Sequence, residues 1–440
     1  MSMMAIALLM FAGMLLLMAV RIPIAVAMFV AGALGYLAVS GPLPLLALLK
    51  GAAVGRLSVY DLTVVPLFLL MGQFATQGGL SRALFQAASS LVGHVRGGLA
   101  MASILAAGGF GAVCGSSVAT SATITQVAYP EMKRHGYSGR LSTAALATGG
   151  TKGILIPPSV PLVIYALLTE QNMAKLFAAS LIPGLIAMFG YLGVVWLYCR
   201  LRPDLAPPAA AIGWRERRQA LAKIWPIALI FLSVFGGIYG GVFTPTEGAA
   251  VGAVGTFVAG VAFGELRKRE IARSFVGAAE TSAMVFMIFM GADLMNAALA
   301  LTRMPHELSE WIGQLGVSPV TIVACVMLLY ILLGCVMDEL SMLMLTIPVI
   351  FPTIMSLDLW GLGAEDKAIW FGVLVLMTVG IGLIAPPIGL NVCVVNGIVK
   401  DVPIVETYKG VLPFVLSDIV RLALTVMFPS IALVTVWWLF

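Results

Sequence analysis

Apolar runs close to the roughly 20 residues that a helix needs to cross a bilayer follow one another along nearly the whole chain, with short polar breaks between them. They predict spans at 3–20, 22–39, 61–77, 175–199, 224–241, 249–263, 275–299 and 411–434. The stretch 41–58 is broken by Pro and Gly, carries Lys50 and Arg56, and predicts an interfacial arm. Residues 80–94 and 305–314 mix charged and apolar positions and predict amphipathic helices at the surface. Four segments depart from the plain span. Residues 99–129 and 320–351 turn back on themselves at polar tips, 115–120 and 336–340, and predict re-entrant helical hairpins. Residues 141–168 and 368–399 are interrupted by Gly-Gly-Thr-Lys-Gly and by Gly382 to Pro387, each break closing on a double proline. Non-helical backbone inside a bilayer is tolerated only where it is buried or lines a cavity, and interrupted helices meeting near the midplane build the sites of secondary transporters.

These four segments form a repeat. A displacement of 222 positions carries Tyr129-Pro130 onto Phe351-Pro352 and Ser116 onto Asp338, and one of 229 carries Gly153-to-Pro158 onto Gly382-to-Pro387. Suppose the ends of the first hairpin face the cytoplasm. Most of the 25 basic residues then lie on that side, and only Lys50, Arg56, Lys175, Arg303 and Lys367 lie opposite. The positive-inside rule selects this arrangement, which inverts the repeats and puts both termini outside. The fold class read from the chain is an all-α polytopic membrane protein with two inverted repeats, each a hairpin plus an interrupted helix. Its predicted organisation is N-terminal scaffold (1–97), first transport repeat (98–170), central scaffold with linker 200–223 (171–317), second transport repeat (318–400) and a C-terminal span (401–440).

Composition agrees: 61% of the 440 residues are hydrophobic and 10% charged, against about 25% charged in soluble domains. The net charge of +5 is a topology signal in short loops and gives no reason to expect nucleic-acid binding. Five cysteines, Cys114, Cys199, Cys325, Cys335 and Cys393, show no metal or redox spacing. His94, His135 and His306 lie in polar loops, and no nucleophile–base set or phosphate loop is visible.

The candidate chemistry sits at the tips and breaks. Hard cations take carbonyl, hydroxyl and carboxylate oxygens, and a helical proline frees the carbonyl about four residues earlier. A first Na⁺ site is predicted from Cys114, Ser116, Gly153, Ile156 and Pro158, and a pseudo-symmetric second from Val336, Asp338, Gly382, Ala385 and Pro387. Asp338 is an intramembrane carboxylate, functional by default, whereas Glu339 beside it fits a loop position. Lys152 suits either an anionic substrate or a structural ion pair. Helix N-termini after the breaks favour a carboxylate, with Ser117, Thr120, Ser159, Asn391 and Asn396 nearby as substrate ligands. Asp418 and Arg421, at i,i+3, suit a structural pair.

Several runs resemble one family: Gly115-Ser116-Ser117-Val118-Ala119, Lys133-to-Tyr137, Gly153-to-Ser159, Thr244-Pro245-Thr246-Glu247, Met337-Asp338 and Gly380-to-Asn391. Together they resemble the large membrane subunit of tripartite ATP-independent periplasmic (TRAP) transporters of the dicarboxylate type, across essentially the whole chain. The resemblance implies a Na⁺-driven elevator importer in the bacterial inner membrane. It implies a periplasmic binding protein that delivers an organic acid and a small four-helix membrane subunit that braces the scaffold. Two positions depart from the family pattern, Thr120, often Asp there, and Lys152, often uncharged. Other classes for such a chain are a stand-alone ion-coupled anion symporter or antiporter, and an intramembrane enzyme using Asp338. The lack of a partner base and the presence of two matched sites disfavour the enzyme.

Overall fold

A computed structural model describes residues 2–208, 213–262, 266–314 and 316–440. Within them the chain is helical, with no strand. The N-terminal group is α1 (Met3–Ala19), α2 (Ile24–Ser40), α3 (Pro42–Leu57), α4 (Val64–Gln77) and α5 (Leu80–Val92). The first repeat is α6 (Gly98–Cys114), α7 (Ser117–Arg134), α8 (Gly139–Gly150), a 3-10 turn at Thr151–Ile154, and α9 (Val160–Thr169). The middle holds α10 (Met173–Leu201), α11 (Trp214–Ala222), α12 (Trp225–Tyr239), α13 (Pro245–Ala262), α14 (Lys268–Thr302) and α15 (Met304–Gln314). The second repeat is α16 (Pro319–Gly334), α17 (Glu339–Ser356), α18 (Ala364–Gly382) and α19 (Leu390–Ile398), followed by α20 (Ile404–Met427) and α21 (Ser430–Leu439).

Three expectations need correcting. Residues 42–57 form one helix, because Pro42 and Pro44 fall in its first turn, where backbone N–H groups have no helical partner to lose. The helix buries none of its residues and bends 59° from the segment 60–77. The final span is two helices, because Pro429 cannot continue α20. Part of the linker 200–223 is helical in α11, while positions 209–212 lie outside the described residues.

The repeat is visible in detail. Helices α7 and α17 are each 18 residues long, and Pro130 and Pro352 occupy matching positions inside them. The Ser116 hydroxyl caps α7 by accepting from the Ala119 N–H at 3.5 Å, and the Asp338 carboxylate caps α17 by accepting from the Ser341 N–H at 3.1 Å. Side-chain caps of this kind satisfy N–H groups that would otherwise be orphaned. Gly115, with φ of 67°, turns the first tip in the left-handed region that favours glycine.

Contacts at the two ends of the bundle fix the relative direction of the repeats. At one end the Tyr137 hydroxyl accepts from the Leu99 N–H at 3.1 Å, closing the base of the first hairpin. There Lys133 and Tyr129 reach Asp401, and Arg140 donates to the Lys409 carbonyl at 3.1 Å. At the other end Lys175 pairs with Glu365 at 2.6 Å and Trp437 donates to Asp366 at 3.0 Å. The first interrupted helix therefore runs from the first end to the second, and α18–α19 runs back. The hairpins hang from opposite ends, the inverted arrangement that the basic residues predicted.

Helices α2 and α14 form the main contact of the outer group through small residues. A methyl on Gly32 would lie 2.6 Å from the Met295 backbone, and one on Gly291 would lie 2.5 Å from the Ala25 carbonyl. Close backbone approach through small residues is how membrane helices gain dispersion contact without a hydrophobic driving force.

Candidate functional site

Each hairpin packs its descending arm on the first half of its own interrupted helix, α6 on α8 and α16 on α18. It packs its returning arm on the second half of the other repeat's interrupted helix, α7 on α19 and α17 on α9. The two tips and two breaks thus meet in the centre. Gly111 lies against Gly153, where an added methyl would come within 3.1 Å of the opposite backbone, and Gly334 lies as tightly against Gly382. Pro157-Pro158 and Pro386-Pro387 are both cis.

At the first break the residues from Thr151 to Val160 are all buried. The Thr120 hydroxyl is fully buried with no hydrogen-bond partner among the described residues, and it faces Gly153, within 3.0 Å of where a methyl would sit. The Ser116 carbonyl approaches the same point, and the Pro158 carbonyl faces Gly115. Thr120, expected as a substrate ligand, lies beside Gly153 and the Ser116 carbonyl, two of the groups expected at the first cation site. The groups gathered around Gly153 are the Thr120 hydroxyl, the Ser116 carbonyl and the Gly111 backbone. No cluster of three His, Cys, Asp or Glu side chains exists among the described residues, so a transition-metal site has no support there.

The second break is more open. Val336 is 57% exposed, and Pro386, Pro387 and Ile388 are also exposed, while Gly382 and Ala385 are buried. The Cys335 thiol donates to the Pro386 carbonyl at 3.3 Å, and the Gly389 N–H donates to the Cys335 carbonyl at 3.2 Å. Asp338 is half-buried beside these groups, one oxygen engaged in the helix cap. Glu339, for which the sequence allowed a loop-facing position, is buried.

The remaining substrate candidates are mostly occupied by the protein itself. The Ser159 hydroxyl donates to the Ile154 carbonyl at 2.6 Å and caps α9. Asn391 donates to the Ser117 hydroxyl at 2.6 Å and to the Ala147 carbonyl at 3.3 Å, binding α19 to the first repeat. Lys152 is 1% exposed. Its ammonium lies 3.5 Å from Asp418 and 3.8 Å from the centre of the Tyr191 ring. Asp418 also takes Arg421 at 2.9 Å and the Tyr191 hydroxyl, and Arg421 donates to the Pro183 carbonyl. Of Lys152's two sequence readings, the geometry favours the ion pair, and Asp418–Arg421 is paired as expected. Asn396 alone among the six is partly accessible, donating to the Val402 carbonyl at 2.9 Å. On neighbouring α7, Thr123 and Gln126 present polar groups on the accessible side. They follow Ala119 at i+4 and i+7, so the three share one face of the helix. Outside the bilayer, Lys133 and the Tyr129 hydroxyl hold the Asp401 carboxyl below the usual carboxylate range.

This architecture is shared. A crystal structure of the YdaH transporter of Alcanivorax borkumensis superposes with a TM-score of 0.59, at 14% identity, over 90% of each chain, a likeness of fold. The C4-dicarboxylate TRAP transporter large permease protein DctM of Pseudomonas aeruginosa is 34% identical over 86% of this chain and 87% of its own. The sialic acid TRAP transporter large permease protein SiaM of Vibrio cholerae is 29% identical over the same shares. The family described as tripartite ATP-independent periplasmic transporter, DctM component, matches residues 11–431. The chain therefore belongs to the DctM family, the large multi-pass membrane component of TRAP transporters.

Proposed function

We propose that this chain is the Na⁺-coupled permease of a TRAP importer, carrying an organic acid across the inner membrane by an elevator movement with both termini periplasmic. The observation that carries the reading is the meeting of two oppositely hung hairpins with two oxygen-rich breaks. The first cradle would use the carbonyls of Cys114, Gly153, Ile156 and Pro158 with Ser116 and the Thr120 hydroxyl. The second would use Asp338 and the carbonyls of Val336, Gly382, Ala385 and Pro387. A bound cation supplies charge compensation for an anionic cargo. The accessible faces of α7 and α19, with Thr123, Gln126 and Asn396, would contact the acid. The relatives are named for C4-dicarboxylate and sialic acid, which supports a carboxylate cargo.

The moving unit would be built on residues 98–170 and 318–400. The buried Lys152–Asp418–Arg421–Tyr191 cluster supports adding α10 and α20 to it, because sliding the break past those helices would strip buried charges of their partners. The other helices would form the scaffold, braced by a small four-helix subunit. A periplasmic binding protein would deliver the acid.

Reconstitution tests the whole reading. With the small subunit and the cognate binding protein in liposomes, an inward Na⁺ gradient should drive acid uptake, and K⁺ should not replace it. Uptake by this chain alone, or uptake indifferent to Na⁺, overturns the proposal.

A further inference from the structure

A cavity of about 300 Å³ opens where the joint between α4 and α5 meets the α12–α13 pair. Its polar side chains are Arg82 and Gln86 of α5 and Lys223 at the end of α11, and the rest of its wall is apolar, chiefly Leu80, Pro226 and Ile227. No Asp or Glu lines it among the described residues, and neither Arg82 nor Lys223 has an ion-pair or hydrogen-bond partner for its side chain there. Other cations at this end of the bundle are compensated, Arg134 by Glu131 at 2.9 Å and Lys409 by Glu406 at 2.8 Å. Arg82 and Gln86 also border the neighbouring cleft, where Glu131 and Glu216 stand, yet Arg82 pairs with neither. Two unpaired cations over an apolar floor make a receptor for an anion that carries its own apolar body.

The surroundings identify the anion. Leu229, two residues past the wall residue Ile227, and Val258 and Val261, on either side of Ala259 in the wall, stand exposed. The exposed Trp225 begins α12, as aromatic side chains do where they anchor membrane helices at the interface. We propose that the cavity holds the headgroup of an anionic phospholipid, with Arg82 and Lys223 on its phosphate oxygens and its acyl chains along α12 and α13. Basic pockets between membrane helices on the cytoplasmic side take such headgroups, and the placement of Lys and Arg makes this end the cytoplasmic one. A zwitterionic headgroup would bring an ammonium against two cations with no carboxylate to receive it. A soluble phosphate ester would leave the apolar track unused. The bound lipid would brace the root of α5, which packs on α6, the descending arm of the first hairpin. The site is separate from both cation cradles, and lipid binds there whether or not they hold Na⁺.

Lipid retention is the test. The purified full chain, stripped of lipid in detergent, is offered phosphatidylglycerol or phosphatidylcholine with the same acyl chains. Bound lipid is counted by native mass spectrometry, with glycerol phosphate as the soluble control. Phosphatidylglycerol should be retained in preference, and excess glycerol phosphate should not displace it. Arg82→Gln and Lys223→Gln should each weaken retention about 5-fold, the contribution of one basic residue beside an anionic membrane surface. Lys400→Gln, which removes an exposed cation at the same end but outside the cavity, should leave retention unchanged. Arg82→Lys should keep most of the retention, which separates lost charge from lost folding. Equal retention of the two lipids, or displacement by glycerol phosphate, overturns the proposal. So does a loss in Lys400→Gln equal to that in the cavity variants, or one in Arg82→Lys equal to that in Arg82→Gln.

Discussion

Lys152 and Asp418 are far apart in sequence and have little meaning singly. A lysine in a helix break reads equally well as a substrate ligand, and periodicity has no means of pairing it with a distant aspartate. The same holds for Ser159 and Asn391, whose polar groups bind the protein's own backbone and hairpin. What the sequence did reveal at this scale was the backbone chemistry, because Gly and double Pro interrupt a helix wherever they fall. The ion cluster makes an asymmetric prediction. Asp418→Ala leaves Lys152 and Arg421 buried without a counter-charge and should cost roughly 3–5 kcal/mol. Lys152→Met keeps the Asp418–Arg421 pair and the packing volume and should cost about 1 kcal/mol. Thermal unfolding in detergent separates the two, and equal losses would mean that the cluster does not hold the break.

The hairpins and interrupted helices were legible as elements because each combines apolar arms with a polar or Pro-Gly interruption, and the repeat of that pattern located them twice. The continuous α3 was not, since two prolines suggest a break unless they fall in a helix's first turn. Nor was the division of the last span at Pro429. The glycine contact at the second break gives this scale its prediction. A methyl on Gly382 would lie 2.6 Å from the Gly334 backbone, whereas one on Gly397 would meet nothing within 4 Å. Gly382→Ala should destabilise by about 1–3 kcal/mol through overpacking and abolish uptake, while Gly397→Ala should transport normally at equal expression. Normal uptake by Gly382→Ala would show that the close arm-to-break contact is dispensable.

Across the whole molecule, the inversion was readable from Lys and Arg placement alone, and the paired ends of the bundle agree with it. Sequence alone could not show that the tips meet, or that the first break is sealed while the second is open, because both depend on packing between distant segments. The central claim is that two oppositely hung, half-unwound elements hold a bare cation between their tips and breaks. The most direct measurement is an experimental density map of the assembled transporter in Na⁺, compared with one in choline. A peak enclosed by the Ser116 and Thr120 hydroxyls and the Gly153 carbonyl, with its counterpart beside Asp338 and Gly382, present in Na⁺ and absent in choline, is the predicted result. Identical maps, or hairpins entering from the same face, would contradict it.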